Sequence, residues 1–380
     1  MQFSAIQGLD DSKNRLIEAV RKDHVAHAQL FVGPEGSANL ALAIAFASYL
    51  NCEDRGDHDS CGSCASCLKN KKYIHPDVHY VFPVSNTEKL KGKDVVSNSF
   101  MNEWRQFLEE GLYGDVSDWS LIFGGENKNL NISKEESRGI IQKLSLKAFV
   151  GRYKVIIIWM PEYMHPSAAN GLLKVLEEPT ENTVFILVTN DSEKLLGTIL
   201  SRMQLVVVRG FNQSEIEAQL LSNGVPAKKA AVIGRLCGGN LKLAYRMASE
   251  AGEDQVDSAK EWLRLCYSRN LHELVTRCEE FHQMNKISQR GFLRFCLSVL
   301  HDTLLMHYGD STILKLSAEE RDFVRNFSQV VTPEKIEPLT RLISEALFHL
   351  ERNASAKMVF LDLSIKISEH LKVDQIGTHH

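Results

Sequence analysis

His27-Ala28-Gln29-Leu30-Phe31-Val32-Gly33-Pro34-Glu35-Gly36-Ser37-Ala38-Asn39-Leu40 reads as a strand, a glycine loop and the start of a helix. An unbroken apolar run before the glycines suits a strand covered on both faces, and the apolar stretch from Leu40 to Leu50 suits a buried helix. Working outward, the same Val, Ile and Phe richness predicts further strands at Val78–Phe82, Lys154–Trp159, Thr183–Val188 and Gln204–Val208. Helical patterns at Ile132–Ala148 and Pro166–Glu178 separate them. Strands alternating with helices imply a mostly parallel sheet in an α/β domain of the P-loop type, spanning residues 1–209.

Beyond Gly210 strand signals become rare. Three short helices are expected over Ser214–Asn223, Pro226–Cys237 and Asn240–Ala248, stopped by Gly224 and by Gly238-Gly239, with Asn240 capping the third. They make a small lid-sized domain at 210–255. Longer periodic segments follow at 258–268, 271–284, 286–308, 316–330, 333–352 and 354–372, an all-α collar-sized bundle at 256–375. The stretch 83–130 fits neither pattern and reads as an insertion. Its Phe100, Trp104, Phe107 and Leu108 share one helical face, which either docks a partner or packs on its own domain.

At 380 residues the chain exceeds what one hydrophobic core organises, and 44% hydrophobic with 24% charged residues is a globular composition. Lysines and arginines number 44 against 48 acids, a net charge of −4, which argues against coating DNA by bulk positive charge. No run approaches the ~20 apolar residues of a membrane span, and Met1 to Asp11 lacks a secretory pattern, so no membrane and a cytoplasmic location are expected.

A working phosphate loop reads G-x-x-x-x-G-K-[ST], its lysine reaching the phosphates and its hydroxyl holding magnesium. Counting from Gly33, with Gly36 inside the loop, the three chemical positions are Ala38, Asn39 and Leu40. One missing ammonium about 4 Å from a phosphate charge removes up to about 4 kcal/mol at an effective dielectric of about 20. The third strand ends in Trp159-Met160, where an ATPase carries acids for the metal and the attacking water. ATP is therefore not expected in this chain's own site. The competing enzyme hypothesis is an unorthodox ATPase using Glu162, the first carboxylate after that strand and beyond Pro161.

Cys52, Cys61, Cys64 and Cys67 give C-x8-C-x2-C-x2-C, a spacing suited to four thiolates around one structural Zn²⁺ with no open position for chemistry. Reduced thiols or an iron–sulfur cluster are the other possibilities, and His58 is a potential replacement for one sulfur. Lys69, Lys71 and Lys72 either form a solvated turn or contact a phosphate backbone, the latter making the chain a zinc-dependent DNA-binding module.

With the His27–Phe31 run and the four-cysteine insertion, Asn170-Gly171-Leu172-Leu173-Lys174-Val175-Leu176-Glu177-Glu178-Pro179 and Thr198-Ile199-Leu200-Ser201-Arg202-Met203 resemble the bacterial clamp-loader family of AAA+ proteins. Met203 stands where the family has a cysteine, and 83–130 is longer than its pattern needs. The resemblance covers residues 1 to about 250 and, beyond that, only the order and size of the helices. It implies a non-catalytic subunit of a DNA polymerase III hetero-pentamer, beside gamma/tau-type ATPase subunits and a delta subunit, that loads a sliding clamp onto primer-template DNA. It also implies that Arg202, supported by Ser201, is an arginine finger for a neighbour's ATP site, with sensor positions at Thr189-Asn190-Asp191 and Lys242.

Overall fold

A computed structural model of the chain describes residues 1–371 apart from 89, 127, 146, 250–254 and 310–317. Two compact units emerge: Met1–Gly224 with Cys237–Ala244, and Val225–Leu236 with the chain from Tyr245 onward.

In the first unit five strands, β1 (Ala28–Val32), β2 (Val78–Val81), β3 (Lys154–Trp159), β4 (Thr183–Thr189) and β5 (Gln204–Val207), form one sheet in the order β2-β3-β4-β1-β5. Every pairing is parallel, so the α/β expectation holds and each strand lies within a residue of its predicted bounds. Side chains of β1, β3 and β4 meet Ala169, Leu172 and Leu176 of helix Pro166–Glu177 and Ile140 and Leu144 of helix Lys134–Leu144 in one core. Helix Asn39–Leu50 is buried along its whole length, as a helix apolar on every face should be, and its Asn39 and Ser48 side chains are hydrogen-bonded. Helix Asp10–Arg21 has no counterpart in the sequence prediction; its N-cap is Leu9, with no side-chain cap to announce it.

The inserted segment is tied off at its base by an antiparallel bridge, Val84 N–H to Asn131 O at 3.1 Å and the reverse at 2.9 Å. It carries helices Met101–Glu110 and Val116–Phe123. Phe100, Trp104, Phe107 and Leu108 are all buried, so the face packs on its own domain and is no free docking surface. Trp104 stacks on Phe82 at 4.1 Å and meets Trp159 at 5.2 Å; Phe107 also lies 5.2 Å from Trp159. Trp119 donates its indole N–H to Pro83 O at 2.7 Å, satisfying the polar atom of a fully buried ring.

The three short helices expected over 210–255 are Gln213–Ser222, Ala227–Leu236 and Leu241–Ser249. In the second unit, helices Gln255–Ser268, Leu271–Gln283, Lys286–His307, Ala318–Ser328, Pro333–Glu351 and Ala356–Leu371 reproduce the six predicted segments within about three residues. Positions 316–317 and 372–375 of those expectations lie outside the described residues. Phe281 and Phe360 stack at 3.9 Å beside Trp262, whose N–H reaches Ser364 Oγ at 2.9 Å. Among the described residues no helix is long and apolar enough to cross a membrane.

Candidate functional site

The loop after β1 leaves the carboxyl end of a strand flanked by β4 on one side and β5 on the other, where open α/β sheets hold ligands. Gly36 has φ +72°, and a Cβ there would lie 1.9 Å from Asn240 Oδ1, so the position admits only glycine. Asn240 caps the next helix, accepting from Leu243 N–H at 2.9 Å, and Leu241 N–H donates to Gly36 O at 3.1 Å.

At the lysine position, Asn39 is buried and turned inward. Its amide donates to Thr189 O at 3.1 Å and Asn190 Oδ1 at 3.0 Å, while its Oδ1 accepts from Leu40 N–H at 2.8 Å. Ala38 and Leu40 are buried apolar residues with no group to offer a phosphate or a metal. Thr189 Oγ1 donates to Glu162 Oε2 at 3.0 Å, and burial pushes that carboxyl above its ordinary range. Glu162 lies in the 3-10 turn Pro161–Tyr163, after Met160 has taken a left-handed conformation at φ 53°. Trp159, the last residue of β3, is a buried anchor for helix Met101–Glu110.

Lys242 is equally committed. Its ammonium pairs with Asp115, with Asp118 at 2.7 Å and more distantly with Glu35 of the loop at 3.9 Å. Burial opposes ionisation of Asp115, but the Lys242 hydrogen bond and charge outweigh it and hold its carboxyl below the usual range. Asp115 and Asp118 were not predicted. Asp-x-x-Asp directly before the apolar start of a helix is a capping-box pattern, and it was the available signal.

Arg202 belongs to a separate constellation. Its Nε donates to Glu177 Oε1 at 2.6 Å, and its Nη1 donates to Thr198 O at 2.7 Å and Ser201 Oγ at 3.1 Å. The side chain keeps 30% of its surface exposed. Because β5 runs parallel to β1 with Gln204 opposite Gln29, Arg202 sits at the amino end of the sheet and Gly33 at the carboxyl end. Six residues of strand at about 3.3 Å each separate those levels by roughly 20 Å, so Arg202 is out of reach of its own chain's loop.

The four cysteine sulfurs lie within 4.8 Å of one another. Backbone N–H groups of Cys61, Cys64 and Cys67 donate to the sulfurs of Cys52, Cys61 and Cys64 at 3.2, 3.3 and 3.3 Å. The N–H groups of Cys64 and Ser63 hold the Cys61 thiol down at about 6, whereas burial pushes up Cys52 and Cys67. This set could hold one metal ion, and its donors are those of a closed tetrahedral site. His58 stays exposed and outside the cluster; Lys71 and Lys72 are exposed and Lys69 is half-buried.

The model of a family described as "DNA polymerase III, delta subunit" matches residues 8–212, more than half of the chain. The chain belongs to the delta-prime clamp-loader family. The DNA polymerase III subunit delta' of Bacillus subtilis (strain 168) is 26% identical over 221 residues, covering 58% of this chain and 54% of that protein. The delta' subunit of Escherichia coli (strain K12) is 27% identical over 191 residues, 50% of this chain and 45% of the other. The tau subunit of Bacillus subtilis is 29% identical over 203 residues, 53% and 28%. The chain thus spans about half the length of the delta-prime relatives it matches, and the matched part holds the loop, the cysteines and Arg202.

Proposed function

We propose that this chain is a non-hydrolysing subunit of a cytoplasmic DNA polymerase III clamp loader, joining gamma/tau-type ATPase subunits and a delta subunit in a hetero-pentamer. It lends Arg202 to a neighbour's ATP site while the ring places a sliding clamp on primer-template DNA. In this reading residues 210–255 act as the lid, 256–375 as the collar that joins the ring, and Cys52, Cys61, Cys64 and Cys67 hold a structural zinc ion. Four thiolates leave zinc no open coordination position, so it supplies folding energy and no chemistry.

The carrying observation is the opposition of the two sites across the sheet. At the carboxyl end the Asn39 amide bonds to Thr189 and Asn190; at the amino end, roughly 20 Å away in backbone level, the Arg202 side chain is 30% exposed and held by Glu177, Thr198 and Ser201. A permanently charged planar fork suits a group that stabilises a phosphoryl transfer in a site it does not own. The hydrolysing alternative has in its favour the placement of Glu162 beside Thr189. Against it stand the missing lysine and hydroxyl and the position of Glu162 beyond the end of β3, in the turn Pro161–Tyr163.

The test is the ATPase rate of the reconstituted complex with Arg202→Ala in this subunit alone. A fall of between about 10-fold and 10³-fold is expected on arginine-finger precedent, and an unchanged rate would remove the role.

A further inference from the structure

The inserted segment does more than thicken the sheet domain. Helix Val116–Phe123 opens with a capping box: Asp115 Oδ1 accepts from Ser117 N–H at 2.7 Å and Asp118 N–H at 3.1 Å, and Asp118 Oδ2 accepts from Asp115 N–H at 3.0 Å. Two carboxylates are thereby fixed in position by the backbone, and both take the ammonium of Lys242. Lys242 follows Asn240 and Leu241, which bear directly on Gly36, and its ammonium lies 3.9 Å from Glu35. With the Lys242 side chain only 9% exposed, three carboxylates of this chain lie around its ammonium beside the loop.

The other end of the insertion is anchored with equal firmness. Trp104 and Phe107 pack on Trp159, and Trp119 meets Trp104 edge-on at 5.2 Å. Tyr113, two residues before Asp115, meets Phe211 edge-on at 5.8 Å. Trp159, the last residue of β3, thus carries the aromatic side chains of the helix that precedes Asp115 and Asp118.

We infer that segment 83–130 is a resident plug: its Asp115 and Asp118 carboxylates occupy Lys242 in the way a bound triphosphate would, holding the loop and the start of helix Leu241–Ser249 in one arrangement without nucleotide. The inference rests on the proposed reading of the loop as nucleotide-free and gives the insertion its role in that reading. A triphosphate arriving at this mouth meets carboxylates of its own sign and a cation already neutralised, so the plug excludes the ligand as well as replacing it.

Hydrogen exchange of the full-length chain tests this, comparing wild type, Asp115→Asn/Asp118→Asn, Lys242→Met and the triple variant, each with and without millimolar Mg-ATP. Amides of residues 33–42 and 240–244 should exchange roughly tenfold faster in the aspartate variant. Lys242→Met should do the same, and the triple variant should be no worse than either, because one shared interaction is lost only once. Amides of β3 and β4 report that each variant is folded. Unchanged exchange at the loop in the aspartate variant, or additive effects in the triple, would overturn the plug while leaving the nucleotide-free reading intact. Protection of the wild-type loop by Mg-ATP would overturn both.

Discussion

Asn39 and Arg202 are the two residues on which most depends, and each is best understood by where its polar atoms go. Asn39 uses both amide atoms on the protein, so Asn39→Ala removes one of the two donors to Thr189 O, leaving Gly33 N–H at 3.3 Å, and takes the Oδ1 acceptor from the buried Leu40 N–H. Such a loss costs about 1–3 kcal/mol, measurable as a lowered urea midpoint at unchanged slope. Arg202 is parked on Glu177, whose side chain is about half exposed. Glu177→Ala should cost under about 1 kcal/mol, as surface pairs do, and should leave the ATPase rate of the assembled complex undiminished, unlike Arg202→Ala. Equal loss in both variants would mean that the pair serves structure and that the guanidinium has no role of its own. Neither partner was legible together: Glu177 and Arg202 were both quoted in motifs, but 25 residues and a strand separate them, and only the folded turn joins them.

At the scale of single elements, helix Gln213–Ser222 illustrates how a cap becomes a tertiary tie. Glu215 closes the capping box with Asn212 and also accepts from Leu9 N–H at 3.1 Å and from both terminal nitrogens of Arg209 at 2.7 and 2.8 Å. Burial works to raise its pKa, but Arg209 and the backbone donors prevail and hold it at about 2, below its ordinary 4.5. The sign follows from linkage: this stabilisation is complete above about 4.5 and is lost as pH falls toward 2, amounting to roughly 3 kcal/mol. Glu215→Gln should flatten that acid limb in a circular-dichroism titration; an unaltered limb would refute the tie. The cysteine loop makes a second prediction at this scale. Metal analysis should find about one zinc per chain, Cys64→Ser should release it, and chelation should lower the melting temperature; a metal-free chain of equal stability would refute the site. Strands and long helices were readable because their apolar periodicity is local and strong. Helix Asp10–Arg21 escaped because Leu16, Ile17 and Val20 are its only buried side chains and nothing caps its start. The pairing of Asp115 and Asp118 with Lys242 spans well over a hundred residues, and no local pattern carries such a contact.

Across the whole molecule, several polar side chains around the loop after β1 bond to the chain itself. Asn39 bonds to the end of β4, Trp159 packs on Trp104 of helix Met101–Glu110, and Lys242 pairs with Asp118. In the second unit Arg235 is likewise enclosed, pairing with Glu320 and, at 3.6 Å, with Asp302 while only 14% exposed. Asn39 and Lys242 thus find their partners within the chain, while the buried Ser37 hydroxyl of the same loop has none among the described residues. The fold class was legible from β1, its glycines and the strand–helix alternation that follows; the contacts made by 83–130 were not, since they join residues far apart in sequence. The most direct measurement is a calorimetric titration of the full-length chain with Mg-ATP. We predict no saturable heat up to millimolar nucleotide, and micromolar binding that is lost on substituting Asn39 or Glu162 would contradict the account.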